Sequence, residues 1–181
     1  MKKLLLLLLL TPVFAISQDY LSEFFYRNDD FIWIKEYPTT MDFASFKRAV
    51  IESGTIQEIS SVDSSFSGRV VSMKPNHKGS GLKEGRAPMY LINNYIGGFV
   101  VIEYLGDKYT VTLKQLNIIT GKDFRSDSRD PIIQALFDQR AGEQEPLETY
   151  AMKPDKKHFR KNFVGDAGLL VSNTFTKRFA F

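Results

Sequence analysis

Residues 98–113 carry the sequence GFVVIEYLGDKYTVTL, from which the fold class follows most directly. Residues 99–105 are rich in β-branched and aromatic side chains, and apolar residues alternate with polar ones over 109–113. Such alternation is typical of a strand with one core face and one solvated face. The two halves meet at Gly106–Asp107, and a two-residue connection that starts with glycine suits a type II′ turn. The segment therefore predicts an antiparallel hairpin.

Two regions nearer the N-terminus also give a prediction. Residues 31–37, FIWIKEY, predict a strand that stops at Pro38 and lies inside a sheet, because its first half is apolar on both faces. Residues 19–29 before it are expected to be irregular or weakly helical.

More strands are expected on both sides of the hairpin. Residues 56–60 and 66–73 predict two strands joined by a turn around Asp63. Residues 89–92 and 116–119 are predicted to extend the same antiparallel system.

A helix over residues 41–53 is predicted between the first strands, since apolar side chains recur at helical spacing from Phe43 to Val50. Thr39, with Asp42 three residues later, resembles a capping box. The helix is expected to pack on the sheet.

The C-terminal region gives a mixed signal. Residues 130–140 predict a helix. Val171, Phe175 and Phe179 are spaced by four, which favours a helix, but Phe175, Phe179 and Phe181 are also spaced for a strand.

Together these patterns predict an α+β fold: a curved antiparallel sheet with a helix after the first strand and a C-terminal helix packed on one face. We expect a lead-in over residues 18–30 and one domain over 31–181, a length sufficient to bury a core.

Composition excludes several classes of protein. The chain has 181 residues and no cysteine, so it is not a disulfide scaffold and has no cysteine nucleophile or thiolate metal site. Its 43% hydrophobic content, with 15 Phe and 8 Tyr, excludes a disordered chain. Without the two N-terminal lysines, 22 basic residues face 21 acidic ones, which argues against a nucleic-acid partner.

The N-terminus predicts export. It begins with two lysines and continues as leucine over residues 4–10. The apolar stretch over 4–16 is shorter than the roughly 20 residues that span a bilayer. We therefore predict a signal peptide over residues 1–17, with cleavage after Ala15 as first choice and after Ser17 as second. A periplasmic or extracellular, bacterial location follows.

The sequence predicts no metal site and no cofactor. His77 and His158 have no His, Asp or Glu at i+3 or i+4, and no acid was found that would orient either ring. The spacing of Asp123, Asp127 and Asp130 does not fit an EF-hand, so a surface turn is expected.

No catalytic residue is predicted either. A serine cluster over residues 60–67 and the Gly79-Ser80-Gly81 segment do not form a G-x-S-x-G elbow. The same glycines lack the Gly-Lys-Ser/Thr of a phosphate loop. Turn-forming serines in a long loop over 75–88 are the expected explanation.

A basic run near the C-terminus, interleaved with phenylalanine, is the strongest indication of a partner. Its members are Lys153, Lys156, Lys157, Arg160 and Lys161. For an exported protein, an anionic glycolipid or another envelope component is a more suitable partner than nucleic acid. A merely solvated basic face is the alternative.

The chain resembles small exported bacterial domains of unknown function with a TATA-binding-protein-like fold. The likeness is carried by residues 31–37, the helix after Pro38, residues 68–70 and, above all, residues 99–113. It covers residues 31–120 and implies a fold but no site residues, and a fold does not determine a function.

These observations favour an exported, non-enzymatic envelope binding or accessory protein. Two alternatives stay open. The many Phe and Tyr side chains also suit a domain that holds a lipid or other apolar molecule. The terminal rhythm of Phe175, Phe179 and Phe181 suits a small outer-membrane β-barrel, although such barrels need longer alternating strands than this sequence shows.

Overall fold

The structure is a computed structural model that describes residue 21 and residues 23–77, 80–82, 86–121 and 142–181. The predicted signal peptide over 1–17, the predicted helix over 130–140 and the surface turn expected from Asp123 onward lie outside the described residues.

The described residues form a seven-stranded antiparallel sheet in the order β1-β2-β6-β5-β4-β3, and β7 pairs with β6 beyond this path. The strands are β1 (Phe24–Arg27), β2 (Asp30–Pro38), β3 (Ile56–Val62), β4 (Ser65–Val70), β5 (Asn94–Tyr104), β6 (Lys108–Thr120) and β7 (Gln144–Pro146). The helices are α1 (Phe43–Glu52), α2 (Met89–Ile92), α3 (Glu148–Ala151) and α4 (Gly168–Arg178). The α+β prediction is confirmed.

The β5–β6 hairpin lies at the centre of this sheet, as predicted. Tyr104 pairs with Tyr109, and the amide of Leu105 donates to the Lys108 carbonyl at 2.8 Å. Gly106 has φ +93°, whereas Asp107 keeps a negative φ. This combination agrees with a type II′ turn, in which only the first central residue needs a positive φ.

Helix α1 follows β2 as predicted, but its cap differs from the expected one. Asp42 itself is the N-cap, because its carboxylate accepts hydrogen bonds from the Ser45 amide at 2.9 Å and the Ser45 hydroxyl at 3.1 Å. Thr39 instead donates its amide to the Asp107 carbonyl at 2.9 Å. The hydrogen bonds of Asp42 keep the pKa of its carboxyl below the usual range.

The lead-in was predicted wrongly, because it contains strand β1. Asn28 and Asp29 both adopt positive φ, 54° and 58°, as a type I′ hairpin turn requires. The turn pairs Phe24 with Trp33 across β1 and β2. Tertiary packing of a short aromatic strand therefore outweighed its weak local signal.

The strand expected over residues 89–92 is also wrong, since these residues form α2. Pro88 is the N-cap, and its carbonyl accepts the amides of Leu91 and Ile92 at 2.9 and 3.2 Å. A short apolar run does not distinguish a buried helical turn from a strand by periodicity alone. The other extension, residues 116–119, does lie in β6.

One face of the sheet carries the core, beneath α1 and α4. The Phe46 ring of α1 lies 4.7 Å from the Tyr109 ring, and the Trp33 ring lies 5.2 Å from Phe175 of α4. All four side chains are at most 1% exposed. The C-terminal segment is thus a helix, and its apolar spacing by four serves packing on the sheet.

The sheet is open in the part of the chain that is described: its path runs from β1 to β3, and these two terminal strands do not pair with each other. With Phe175 in a helix, this topology does not favour the small outer-membrane barrel.

No described helix is long and apolar enough to cross a membrane.

Candidate functional site

A basic cleft forms where the basic run meets the start of the C-terminal helical segment. Its volume is about 730 Å³. The cations that line it are Arg86, Lys153, Arg160 and Lys161, and the other lining residues are Pro88, Asn162, Gly165 and Asp166. Four cations against one carboxylate give the cleft a strongly positive character. We call this site the basic cleft.

A tight turn brings Lys153 and Arg160 together. The Lys153 amide donates to the His158 carbonyl at 2.9 Å, and Met152 forms an isolated bridge with Phe159. The Arg160 Nε then donates to the Met152 carbonyl at 2.6 Å. This bond holds one edge of the Arg160 guanidinium, and Arg160 also lines the cleft.

Phenylalanines of the basic run anchor it to the core. Phe163 is completely buried and its ring stacks on Phe159 at 5.8 Å, with Phe24 and Phe31 packed edge-on against it at 5.2 and 5.8 Å. The interleaved aromatic residues therefore face inward, while Lys161 stays exposed. A kink at Gly165, whose ψ of −118° is not helical, lies between this anchor and α4.

Arg86 reaches the cleft from a distant part of the chain. Its Nε lies 3.9 Å from an Asp166 carboxylate oxygen, at the outer limit of an ion pair, and its side chain is 66% exposed. A pair this long and this exposed contributes little to stability. Arg86 can therefore turn toward an incoming anion at small cost.

Two of the predicted basic residues lie elsewhere. Lys156 Nζ is 3.1 Å from a Glu148 oxygen and 5.5 Å from the centre of the Tyr26 ring. Hydrogen bonds to Tyr26 and Glu148 raise the pKa of Lys156. Lys157 is exposed and does not line the cleft. The predicted five-residue run is thus divided, with Lys153, Arg160 and Lys161 at the site.

A buried phenol lies near this region. The Tyr90 ring stacks on Tyr150 at 4.4 Å, and its hydroxyl has no hydrogen-bond partner among the described residues. Burial raises the pKa of Tyr90 to about 12, with a further rise from Tyr150, while the charge of Arg160 opposes it. This hydroxyl therefore stays protonated at neutral pH.

One expectation about the histidines is wrong. His158 does have an acidic neighbour, because the turn brings Asp155, three residues earlier, to 2.9 Å from its Nδ1. A tight turn joins a residue to the one three positions before it as well as to those after it. The pair is exposed, and the hydrogen bond from His158 lowers the pKa of Asp155.

The other candidates from the sequence lie apart from the cleft. Ser80 donates its hydroxyl to the His77 carbonyl at 2.6 Å, as expected of a turn serine. The serines of residues 60–67 belong to the β3–β4 hairpin. In the described part of the chain no three His, Cys, Asp or Glu residues are grouped so that they could hold a metal ion.

Sequence reasoning missed a polar cluster around Glu23. This carboxylate accepts the Trp33 indole N–H at 3.0 Å, the Lys35 ammonium at 2.6 Å and the Ser172 hydroxyl. Lys35 also donates to Thr176 Oγ1 at 3.0 Å. Since every group has a partner, the cluster joins the N-terminal segment to α4 and leaves no group free for a ligand.

Most of the described phenylalanines pack in the core, whereas Phe25 is exposed and Phe99 lies on the other face of the sheet. Phe43 and Phe66, for example, pack at 5.9 Å, and Phe46 lies 6.0 Å from Phe66. Three of the cavities that described residues line are bordered mainly by polar and charged side chains. The lipid-holding alternative stays a prediction.

Two solved structures are similar to this chain. A DUF4468 family protein from Bacteroides ovatus ATCC 8483 has 8% identity over 91% of this chain and 92% of its own, with a TM-score of 0.47. A TBP-like protein from Parabacteroides distasonis ATCC 8503 has 11% identity over 84% of this chain and 92% of its own, with a TM-score of 0.46. Both agree with the resemblance to small bacterial domains of unknown function with a TATA-binding-protein-like fold. The likeness concerns the fold alone.

No family model matches the chain, and no curated protein matches it at a significant level.

Proposed function

We propose that this protein is an exported, non-enzymatic envelope module that binds an anionic glycolipid through the basic cleft. The observation that carries the proposal is the convergence of four cations on one open cleft of about 730 Å³. Arginine and lysine bind phosphate groups through charge-assisted hydrogen bonds. Because the pair of Arg86 with Asp166 is long and exposed, the Arg86 guanidinium is available to an anionic headgroup.

Export is supported by the lysine pair and the leucine run at the N-terminus. Deleting residues 4–10 removes the apolar segment that the export machinery recognises, and we expect the product to stay in the cytoplasm. Cell fractionation with an antibody against the chain measures this. Unchanged export after the deletion would contradict the proposal.

Binding is tested by sedimentation of the chain with vesicles. We expect it to bind vesicles that contain lipid A and to bind neutral phosphatidylcholine vesicles much less. Phosphatidylglycerol vesicles form a third arm, which separates recognition of a glycolipid from attraction to any anionic surface. Binding should weaken as salt rises, because exposed charges are screened.

Charge reversal locates the binding surface. The double variant Lys153→Glu/Lys161→Glu should weaken vesicle binding at least about 30-fold, since each basic residue near an anionic surface contributes on the order of 1 kcal/mol. Lys47→Glu/Arg48→Glu, on the exposed side of α1, is the matched control. An equal loss in both double variants would show general electrostatics instead of a site.

A further inference from the structure

A second groove lies on the side of the sheet that faces away from α1 and α4. Arg69 pairs with Phe99, and Phe99 pairs with Lys114, so the three side chains share one face. Their neighbours Val100 and Leu113 are completely buried in the core on the opposite face. The groove has a volume of about 660 Å³, within the range of about 300–1,000 Å³ of ligand pockets. We call it the amide groove.

Two bulges on neighbouring strand pairs shape this groove. The register of β3 against β4 shifts between Gln57 and Ser60, and that of β5 against β6 shifts between Gly97 and Phe99. Bulges change the direction of side chains and are frequent next to functional sites.

At each bulge a residue other than glycine has a positive φ: 54° at Glu58 and 51° at Gln115. Both residues line the groove. Such backbone conformations are unfavourable for these residues and concentrate where a protein binds or reacts. The two bulges and their two residues with positive φ therefore lie at the cavity.

The lining of the amide groove includes one carboxylate and one guanidinium, and Lys114 on the same face lies 5.4 Å from the centre of the Phe99 ring. Glu58 and Arg69 form an exposed pair at 3.5 Å. The side-chain amides of Gln57, Gln115 and Gln144 make no hydrogen bond with any described residue. Each amide offers both donors and an acceptor, as a ligand hydroxyl does.

We propose that the amide groove binds a neutral saccharide. Sugar hydroxyls match free amides and the Glu58–Arg69 pair, and the C–H surface of a sugar ring can contact Phe99 and Ile119 at the groove wall. The Glu58 carboxylate in the lining disfavours an anion. An extended peptide fits less well, because the bulge at Glu58 interrupts the free edge of β3 on which a further strand would add.

The test is calorimetric titration of the exported chain with chitin-type, glucan-type and mannan-type hexasaccharides. At least one of them should bind saturably. Gln57→Ala/Gln144→Ala removes two exposed amides and should weaken this binding about tenfold, as expected when two hydrogen bonds are lost. Gln115→Gly is a second variant, which removes another side-chain amide from the lining. Glycine accepts the positive φ at this position, so the fold is retained.

Asn28→Gly is the matched control, since it removes an exposed amide in the β1–β2 turn, outside both clefts, and glycine accepts the positive φ of this position. Unchanged affinity in this control supports the proposal. Absence of binding by every hexasaccharide would overturn it, as would an equal loss in Asn28→Gly. Binding of a polar extended peptide in place of the saccharides would overturn it as well. Vesicle binding through the basic cleft is independent of all these results.

Discussion

At the scale of single residues, Tyr109 connects the sheet to the end of the chain. Its ring stacks on Tyr37 at 5.0 Å, and its hydroxyl donates to the Phe179 carbonyl at 2.8 Å. The same hydroxyl accepts the Phe181 amide at 3.0 Å. Burial raises the pKa of Tyr109, so the hydroxyl remains a donor at neutral pH. One phenol therefore satisfies two backbone groups beyond α4.

Replacing this hydroxyl tests its role. Tyr109→Phe should lower the free energy of unfolding by about 1–3 kcal/mol, because the Phe179 carbonyl and the Phe181 amide lose their partner. Urea unfolding followed by tryptophan fluorescence measures the change. Tyr26→Phe is the control, since the bonds of its hydroxyl, to Asp29 at 3.3 Å and to Lys156, lie at the surface and involve no backbone group. If both variants unfold at the same midpoint as the parent, the Tyr109 hydroxyl does not hold the C-terminus.

At the scale of elements, the Glu23 cluster joins three parts of the fold. Glu23 precedes β1, Trp33 and Lys35 belong to β2, and Ser172 belongs to α4. Ser172 is only 3% exposed, and the Glu23 side chain is 16% exposed. Because the partners are far apart in sequence, the cluster stabilises the assembled sheet and helix instead of any one element.

We expect Glu23→Gln to lower the free energy of unfolding by about 1–3 kcal/mol, because the Lys35 ammonium loses its charged partner in a partly buried place. Combining it with Lys35→Met should restore part of the loss in a double-mutant cycle. Glu36→Gln is the control: its pair with Lys108 at 2.9 Å is exposed, and the midpoint should not move. Additive losses from the Glu23 and Lys35 changes would show that the two residues are not coupled.

Local sequence patterns predicted the elements that have a clear periodicity of apolar residues or a clear turn residue. The central hairpin has both, in the alternation of residues 109–113 and in Gly106. Strand β1 was missed because four residues carry little pattern, although Asn28–Asp29 offered a type I′ signal. In α2, four apolar residues after Pro88 suit a strand as well as a helical turn.

The basic cleft could be predicted only in part. Lys153, Arg160 and Lys161 were visible as a charge run, but the turn that directs Lys156 to Glu148 depends on tertiary contacts. Arg86 joins from a distant segment, and no spacing rule connects it to the run. The amide groove depends on bulges in two strand pairs, which arise only when strands pair.

At the scale of the whole molecule, the two sides of the sheet carry different kinds of side chain. One side holds the aromatic core under α1 and α4, and the other carries the amide groove. The basic cleft lies beside the segment that leads into α4, anchored by the buried Phe163. A filled interior with polar surface clefts is typical of a module that binds its partner from outside.

The proposed binding site is located most directly by nuclear magnetic resonance of the isotope-labelled chain during titration with a soluble lipid A headgroup. We predict that the largest shifts fall on the amides of residues 153 and 160–166, saturate together, and vanish in Lys153→Glu/Lys161→Glu. Shifts centred on Lys47 and Arg48 of α1, or a spectrum that the headgroup leaves unchanged, would contradict the assignment of the basic cleft as the binding site.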